Sequence, residues 1–335
     1  MNRSSLAQKG ILSVFAVVLF GIISCKQNPK KEVTEVETAQ EMTVEQTESD
    51  IKLSLAQWSM HKMILEEGMD PYTFAEKAKG WGFEGLEYVS GLYYKELQAA
   101  NFSEEAMNNW VEKSKAESEK HGMKNLLIMV DGQGDLAATD AKERKAAVEN
   151  HYKWVDAAAA LGCHSIRVNL NGTQDPEPWV PASVDGLTQL ATYAKDKNIN
   201  IIVENHGGPS SNAALLVEVM KKVGMDNCGT LPDFGNFCIK REAGDYYESK
   251  CLEEYDRYKG VEELMPYAKA VSAKSYSFDA EGNETRVDYE KIMGIVEEAG
   301  YSGFVGVEYE GSELSEEEGI LATKKLLEKV LNLPE

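Results

Sequence analysis

Eight short β-rich runs, each followed by an amphipathic helical stretch, predict an α/β fold of the (β/α)8 TIM barrel class. Two further observations favour it over an open doubly wound sheet. The runs begin 29 to 42 residues apart and occupy about 285 residues, the count that one closed barrel needs. The segment after the first run, WSMHKMILEEG, carries no GxGxxG phosphate loop, which the doubly wound fold usually places there.

The expected strands are residues 51–57, 84–89, 125–130, 164–169, 199–204, 228–233, 270–275 and 303–308. The helices between them carry their own punctuation. Asp70-Pro71 is an N-cap followed by a proline at the first helical position, and Gly80 closes that helix. Ser103 opens the next and Gly122 closes it; residues 138–161 read as a long helix ended by Gly162. Residues 211–223 end at Gly224, and 288–299 at Gly300. Ser315 with Glu318 is a capping-box pattern ahead of the apolar stripe Ile320, Leu321, Leu326, Leu327, Val330 and Leu331. The glycine-containing DGQGD at 131–135 follows the third strand and reads as a turn.

The first 50 residues stand apart from this alternation. Arg3 and Lys9 precede a 13-residue uncharged run, Ile11 to Ile23, too short to span a bilayer comfortably and laid out as a secretory signal. The Ile-Ile-Ser-Cys ending resembles a bacterial lipobox. Residues 1–24 are therefore expected to be a lipoprotein signal peptide, with Cys25 lipidated and tethering the chain to a membrane by acyl chains. Residues 25–50 lack apolar periodicity and are rich in Glu, Thr and Gln, as a solvated tether is. The barrel is expected over 51–335, in an exported, cell-envelope lipoprotein of the periplasm or outer membrane.

Charge narrows the function. The chain has 35 Lys+Arg against 56 Asp+Glu, a formal charge of −21, and loss of Arg3 and Lys9 takes it to −23. Such a surface argues against gripping a nucleic-acid backbone. Beyond Cys25 four cysteines remain, 163, 228, 238 and 251. An exported compartment permits disulfides, but four are too few to scaffold so long a chain, and no Cys/His spacing suggests structural zinc.

In a barrel, chemistry sits at the C-terminal ends of the strands. The fifth ends Val203-Glu204-Asn205-His206-Gly207-Gly208, the sixth Leu231-Pro232-Asp233-Phe234-Gly235-Asn236, and the eighth Val307-Glu308-Tyr309-Glu310. One strand-end acid commonly caps a helix or faces solvent, and Glu310 reads that way. Three acids at one barrel mouth would repel each other unless a cation sat among them, and carboxylate oxygens with one imidazole suit Mn, Mg, Co or Zn.

With IIVENHGG, CGTLPDFGN, AVSAKSYSFD and GFVGVEYEG, the chain from about 51 to 331 resembles the xylose-isomerase-like barrel superfamily, also called the sugar phosphate isomerase/epimerase or AP-endonuclease-2-type family. The resemblance implies a divalent metal held by Glu204, Asp233, a strand-seven residue and Glu308. Many relatives carry His-x-Lys-Asp on strand seven. Here the stretch is Ser272-Ala273-Lys274-Ser275, and a serine hydroxyl is a poor ligand. Three readings stay open: water takes that position, His206 supplies a nitrogen, or Lys274 projects inward with a catalytic role. The shared chemistry is proton removal beside a carbonyl. Glu204 and Glu308 would inherit the acid/base roles, with His206 polarising a substrate oxygen. Glu87, Arg167, Asn169, Asn236 and His61 are candidates to touch sugar hydroxyls, and Trp58, Trp179, Tyr88 and Phe237 offer aromatic faces or core packing.

The expected function is a metal-dependent sugar isomerase or epimerase acting on a neutral sugar or glycoside, since sugar phosphates are cytosolic and no Arg/Lys cluster marks the strand ends. A lyase that eliminates the aglycone from 3-keto-glycosides needs the same proton abstraction. A non-catalytic sugar-binding lipoprotein is the third reading, and it would not need the three acids together. An AP endonuclease is opposed by charge, by export and by a total of five histidines.

Overall fold

The computed structural model describes residues 50–334, all within one compact unit. The signal, Cys25 and nearly all of the tether lie outside the described residues. Strands β1 (Ile51–Ala56), β2 (Gly85–Val89), β3 (Lys124–Met129), β4 (Ser165–Val168), β5 (Asn200–Glu204) and β6 (Cys228–Leu231) follow one another in chain order. A separate antiparallel ribbon of β7 (Cys238–Arg241) and β8 (Cys251–Glu254) interrupts them before β9 (Val271–Ser275) and β10 (Gly303–Tyr309) complete the set.

The eight barrel strands pair in the order β6-β5-β4-β3-β2-β1-β10-β9, every pair parallel. Closure between β6 and β9 comes from single parallel bridges, Thr230 to Ala268 and Asp233 to Ser272. Ser272 N donates to Pro232 O at 2.9 Å, and Phe234 N to Ser272 O at 3.1 Å. The closing seam is thus made at the very residues expected to carry chemistry. Helices cover the outside, so the strands are buried on both faces and read as near-continuous apolar runs. Ile201, Ile202, Val203, Val305 and Val307 are fully buried.

The helix boundaries follow their caps. The long third-loop helix starts at Ala141 rather than 138, because the Asp140 carboxylate accepts from the backbone of Lys142 and Glu143. The helix expected from 211 starts later for the same reason: Asn212 caps Ala213–Val223, and 208–211 form a separate 3-10 turn. Gly80 is the last residue of its helix, whose first turn, Pro71–Thr73, is 3-10. The Ser315/Glu318 capping box is present in both halves.

Candidate active site at the barrel mouth

Each functional side chain is placed by the end of an apolar strand. Glu204 closes β5, Asp233 lies two residues past β6, and Glu308 is the penultimate residue of β10. All three are buried, and one carboxylate oxygen from each lies within 4.8 Å of the others. Asn205, also buried, locks the β5–β6 corner: its amide donates to Asp233 O at 3.0 Å and accepts from Asp233 N at 2.8 Å. Asp233 Oδ1 accepts from the backbone of Gly235 and Asn236, leaving Oδ2 to face the centre.

Ser272 stands where the resemblance expects histidine. Its Oγ lies 2.7 Å from Asp233 Oδ2 and 2.8 Å from Glu308 Oε2. A hydroxyl carries one hydrogen, so it donates to one carboxylate. The other contact needs a proton on that carboxyl, or a cation shared between the oxygens. Lys274, fully buried, brings its Nζ to 3.5 Å from Glu308, 3.5 Å from Glu310 and 3.7 Å from Asp233. Glu310, read from the sequence as a solvated or capping acid, is in fact a partner of that ammonium.

On the other side, buried Arg167 has its Nε 2.9 Å from Glu204 Oε2, an ion pair lacking hydrogen-bond alignment, and donates from Nη1 to Asp131 at 2.7 Å. Asn169 donates to the same Asp131 oxygen at 2.8 Å, and Asn236 donates to Glu204 Oε1 at 2.8 Å. Asp131 is the first residue of the DGQGD stretch that reads as a turn; nothing in the sequence singles out its carboxylate.

These surroundings separate the protonation of the carboxylates. Burial pushes Glu204 up to about 7, although Arg167 and Lys274 pull the other way. Burial also holds Asp233 well above the ordinary range. For Glu308 burial acts upward too, but Lys274, the Ser272 hydroxyl and Arg167 together outweigh it and hold the group below the usual value. Burial, helped by the Arg167 and Lys274 charges, lowers His206 to about 4, so its imidazole is neutral at pH 7.

The structure therefore brings together Glu204, Asp233, Glu308, Lys274, Arg167, Asn169 and Asn236. His206 is not one of the groups that converge within 4.8 Å, but its buried ring is within electrostatic reach of Arg167, Lys274, Asp131 and Glu308; it packs 4.6 Å from the ring of Tyr247, and its Nδ1 has no hydrogen-bond partner. His61 stacks on Trp58 and sits 3.1 Å from Glu316, at the rim. Glu87 points into the barrel on the side of the strand starts. It bonds Ser54 at 2.6 Å and occupies the space that a Cβ on Gly306 would need. Trp179, Tyr88 and Phe237 are buried core, and only Trp58 is partly open.

The donor set fits a hard divalent cation. Three carboxylate oxygens converge, and the five acids around the site (Glu204, Asp233, Glu308, Glu310, Asp131) face two cationic side chains, Arg167 and Lys274.

A closed eight-stranded parallel barrel with acids gathered at its C-terminal mouth defines the class: a TIM barrel with a site suited to a divalent metal. More particularly, the chain belongs to the xylose isomerase-like TIM barrel family, which it matches over residues 75–330. No curated protein sequence matches it. Among solved structures it is similar to the IolI protein with a bound zinc atom (TM-score 0.62, 18% identity, 84% of this chain and 98% of that one). It is also similar to D-psicose 3-epimerase crystallised in the presence of D-fructose (0.60, 15%, 84% and 99%). A third is a xylose isomerase-like TIM barrel protein from Mycobacterium smegmatis in complex with magnesium (0.56, 15%, 84% and 96%). At these identities the likeness carries the fold.

Proposed function

We propose that the protein is a divalent-metal-dependent enzyme that removes a proton beside the carbonyl of a neutral sugar or glycoside, as a sugar isomerase or epimerase does. The observation that carries this reading is the buried convergence of Glu204, Asp233 and Glu308 at strand ends. Their oxygens would hold the metal, and an all-carboxylate set favours Mg or Mn over Zn or Co. When bound, such an ion stabilises negative charge on a substrate oxygen.

The chain's own residues do the rest. Glu204 and Glu308, presented by the ends of β5 and β10, are the pair that moves the proton as base and acid. The Lys274 ammonium is placed to donate to a substrate oxygen as it gains charge. Asp131, Asn169 and Asn236 can hold hydroxyls. Both cationic side chains at the site are paired with carboxylates, so no surplus positive charge marks a phosphate subsite. That supports a neutral substrate.

Export as a lipoprotein anchored at Cys25 belongs to the same reading. The Cys238–Cys251 disulfide supports it, because such bonds persist in oxidising compartments. Labelled palmitate should enter the wild type and not Cys25→Ser; equal labelling of both would refute the anchor.

The test of function is product analysis of the Mn-loaded protein against D-fructose, D-psicose, D-tagatose and a 3-keto-glycoside. A new isomer lost in Glu204→Gln supports the proposal. Release of the aglycone moves the chain to the lyase reading. Sugar binding without turnover leaves a non-catalytic sugar-binding lipoprotein.

A further inference from the structure

Between β6 and the helix at 257–264 the chain leaves the barrel and reaches over the ends of β4 and β5. The excursion is the β7–β8 ribbon with its loop, residues 238–254, closed into a ring by the Cys238–Cys251 disulfide. Its tip is internally braced. Arg241 donates to Tyr246 O at 3.0 Å and Ser249 O at 2.6 Å, and the Asp245 carboxylate accepts from the backbone of Tyr247, Glu248 and Ser249.

The tip is also docked on both neighbouring strand ends. Tyr246 Oη accepts from Gly172 N at 3.1 Å, and Tyr247 Oη bonds Asn171 at 3.0 Å, both just past β4. On the β5 side, a Cβ at Gly207 would lie 2.4 Å from Tyr246 O, and one at Gly208 would lie 2.9 Å from the Tyr246 ring. The double glycine of the ENHGG stretch therefore leaves the room this strap fills. Tyr247 ends up against His206, within electrostatic reach of Arg167, Asp131 and Glu204. At 44% exposure it is the only aromatic among the large apolar side chains left open in the described residues.

Building on the function proposed above, we infer that this cross-linked strap is one wall of the substrate cleft, and that Tyr247 is a specificity-determining residue whose ring carries the C–H face of a neutral, ring-form sugar or glycoside. A fixed aromatic face with an electron-rich surface suits the polarised C–H bonds of a sugar ring, and its hydroxyl, held by Asn171, fixes the ring's orientation. The hydroxyls of the stacked sugar then point toward Asp131 and Asn169.

The experiment is calorimetric titration of the full-length, Mn-loaded protein with D-fructose and methyl glucoside. The variants are Tyr247→Ala, Tyr247→Phe and Cys238→Ser/Cys251→Ser. Tyr247→Ala should weaken binding about tenfold. Tyr247→Phe keeps the ring and should stay within about threefold, and the double cysteine variant should weaken binding in the same direction as the alanine. With a turned-over sugar, KM should rise in Tyr247→Ala while kcat holds. Unchanged affinity in Tyr247→Ala would overturn the inference and leave the proposed function standing. Tighter binding of fructose 6-phosphate than of fructose would overturn the neutral-substrate part. A wild type that binds neither sugar would overturn both.

Discussion

Ser272 Oγ stands 2.8 Å from Glu308 Oε2, on the strand that closes the barrel. A hydroxyl in this place is a bridge between acids rather than a strong ligand, so metal affinity has to come from the three carboxylates. Asp233→Asn should therefore weaken Mn binding by more than about 100-fold, beyond what losing an outer-shell partner costs. Ser272→Ala should change it by less than about tenfold. Titration calorimetry reads both; the reverse order would make Ser272 the ligand.

Arg167 links Glu204 to Asp131 inside the barrel mouth. Arg167→Met leaves two carboxylates without their buried counter-charge and should cost about 3–5 kcal/mol of stability in urea denaturation. A loss below about 1 kcal/mol would mean that water already solvates the pair.

Glu87 sets a pH dependence of stability. Burial raises its carboxyl to about 8, above the ordinary 4.5. Between those values the unfolded chain ionises and the folded one does not, so stability falls as pH rises through the window, by as much as about 5 kcal/mol. Glu87→Gln removes this contribution to the slope and leaves those of Glu204 and Asp233. The variant should gain on the wild type in urea melts at pH 8 relative to pH 5; parallel curves would show that Glu87 is ionised in the folded protein.

The carboxylate trio was legible because a barrel turns strand ends into a short list of positions, and Glu204, Asp233 and Glu308 each terminate an apolar run. Asp131 was not, because a Gly-flanked aspartate has the signature of a turn and its role arises only when Arg167 arrives from the next strand. Tyr247 was hidden for a related reason. The ribbon that carries it interrupts the β/α alternation, and its one sequence signal was the pair Cys238 and Cys251 in a chain read as exported. His206 follows Glu204 by two residues and stays within electrostatic reach of Arg167, Lys274 and Glu308, with its ring packed on Tyr247.

The central claim is that Glu204 and Glu308 move a proton at carbon beside a carbonyl. Mass spectrometry of a turned-over sugar in D2O tests it most directly, comparing the Mn-loaded wild type with Glu204→Gln and Glu308→Gln. The account predicts solvent deuterium at that carbon in the wild type, with the rate falling by about 10²–10⁴ in each variant. Turnover with no deuterium entering the sugar, or exchange undiminished in both variants, would contradict it.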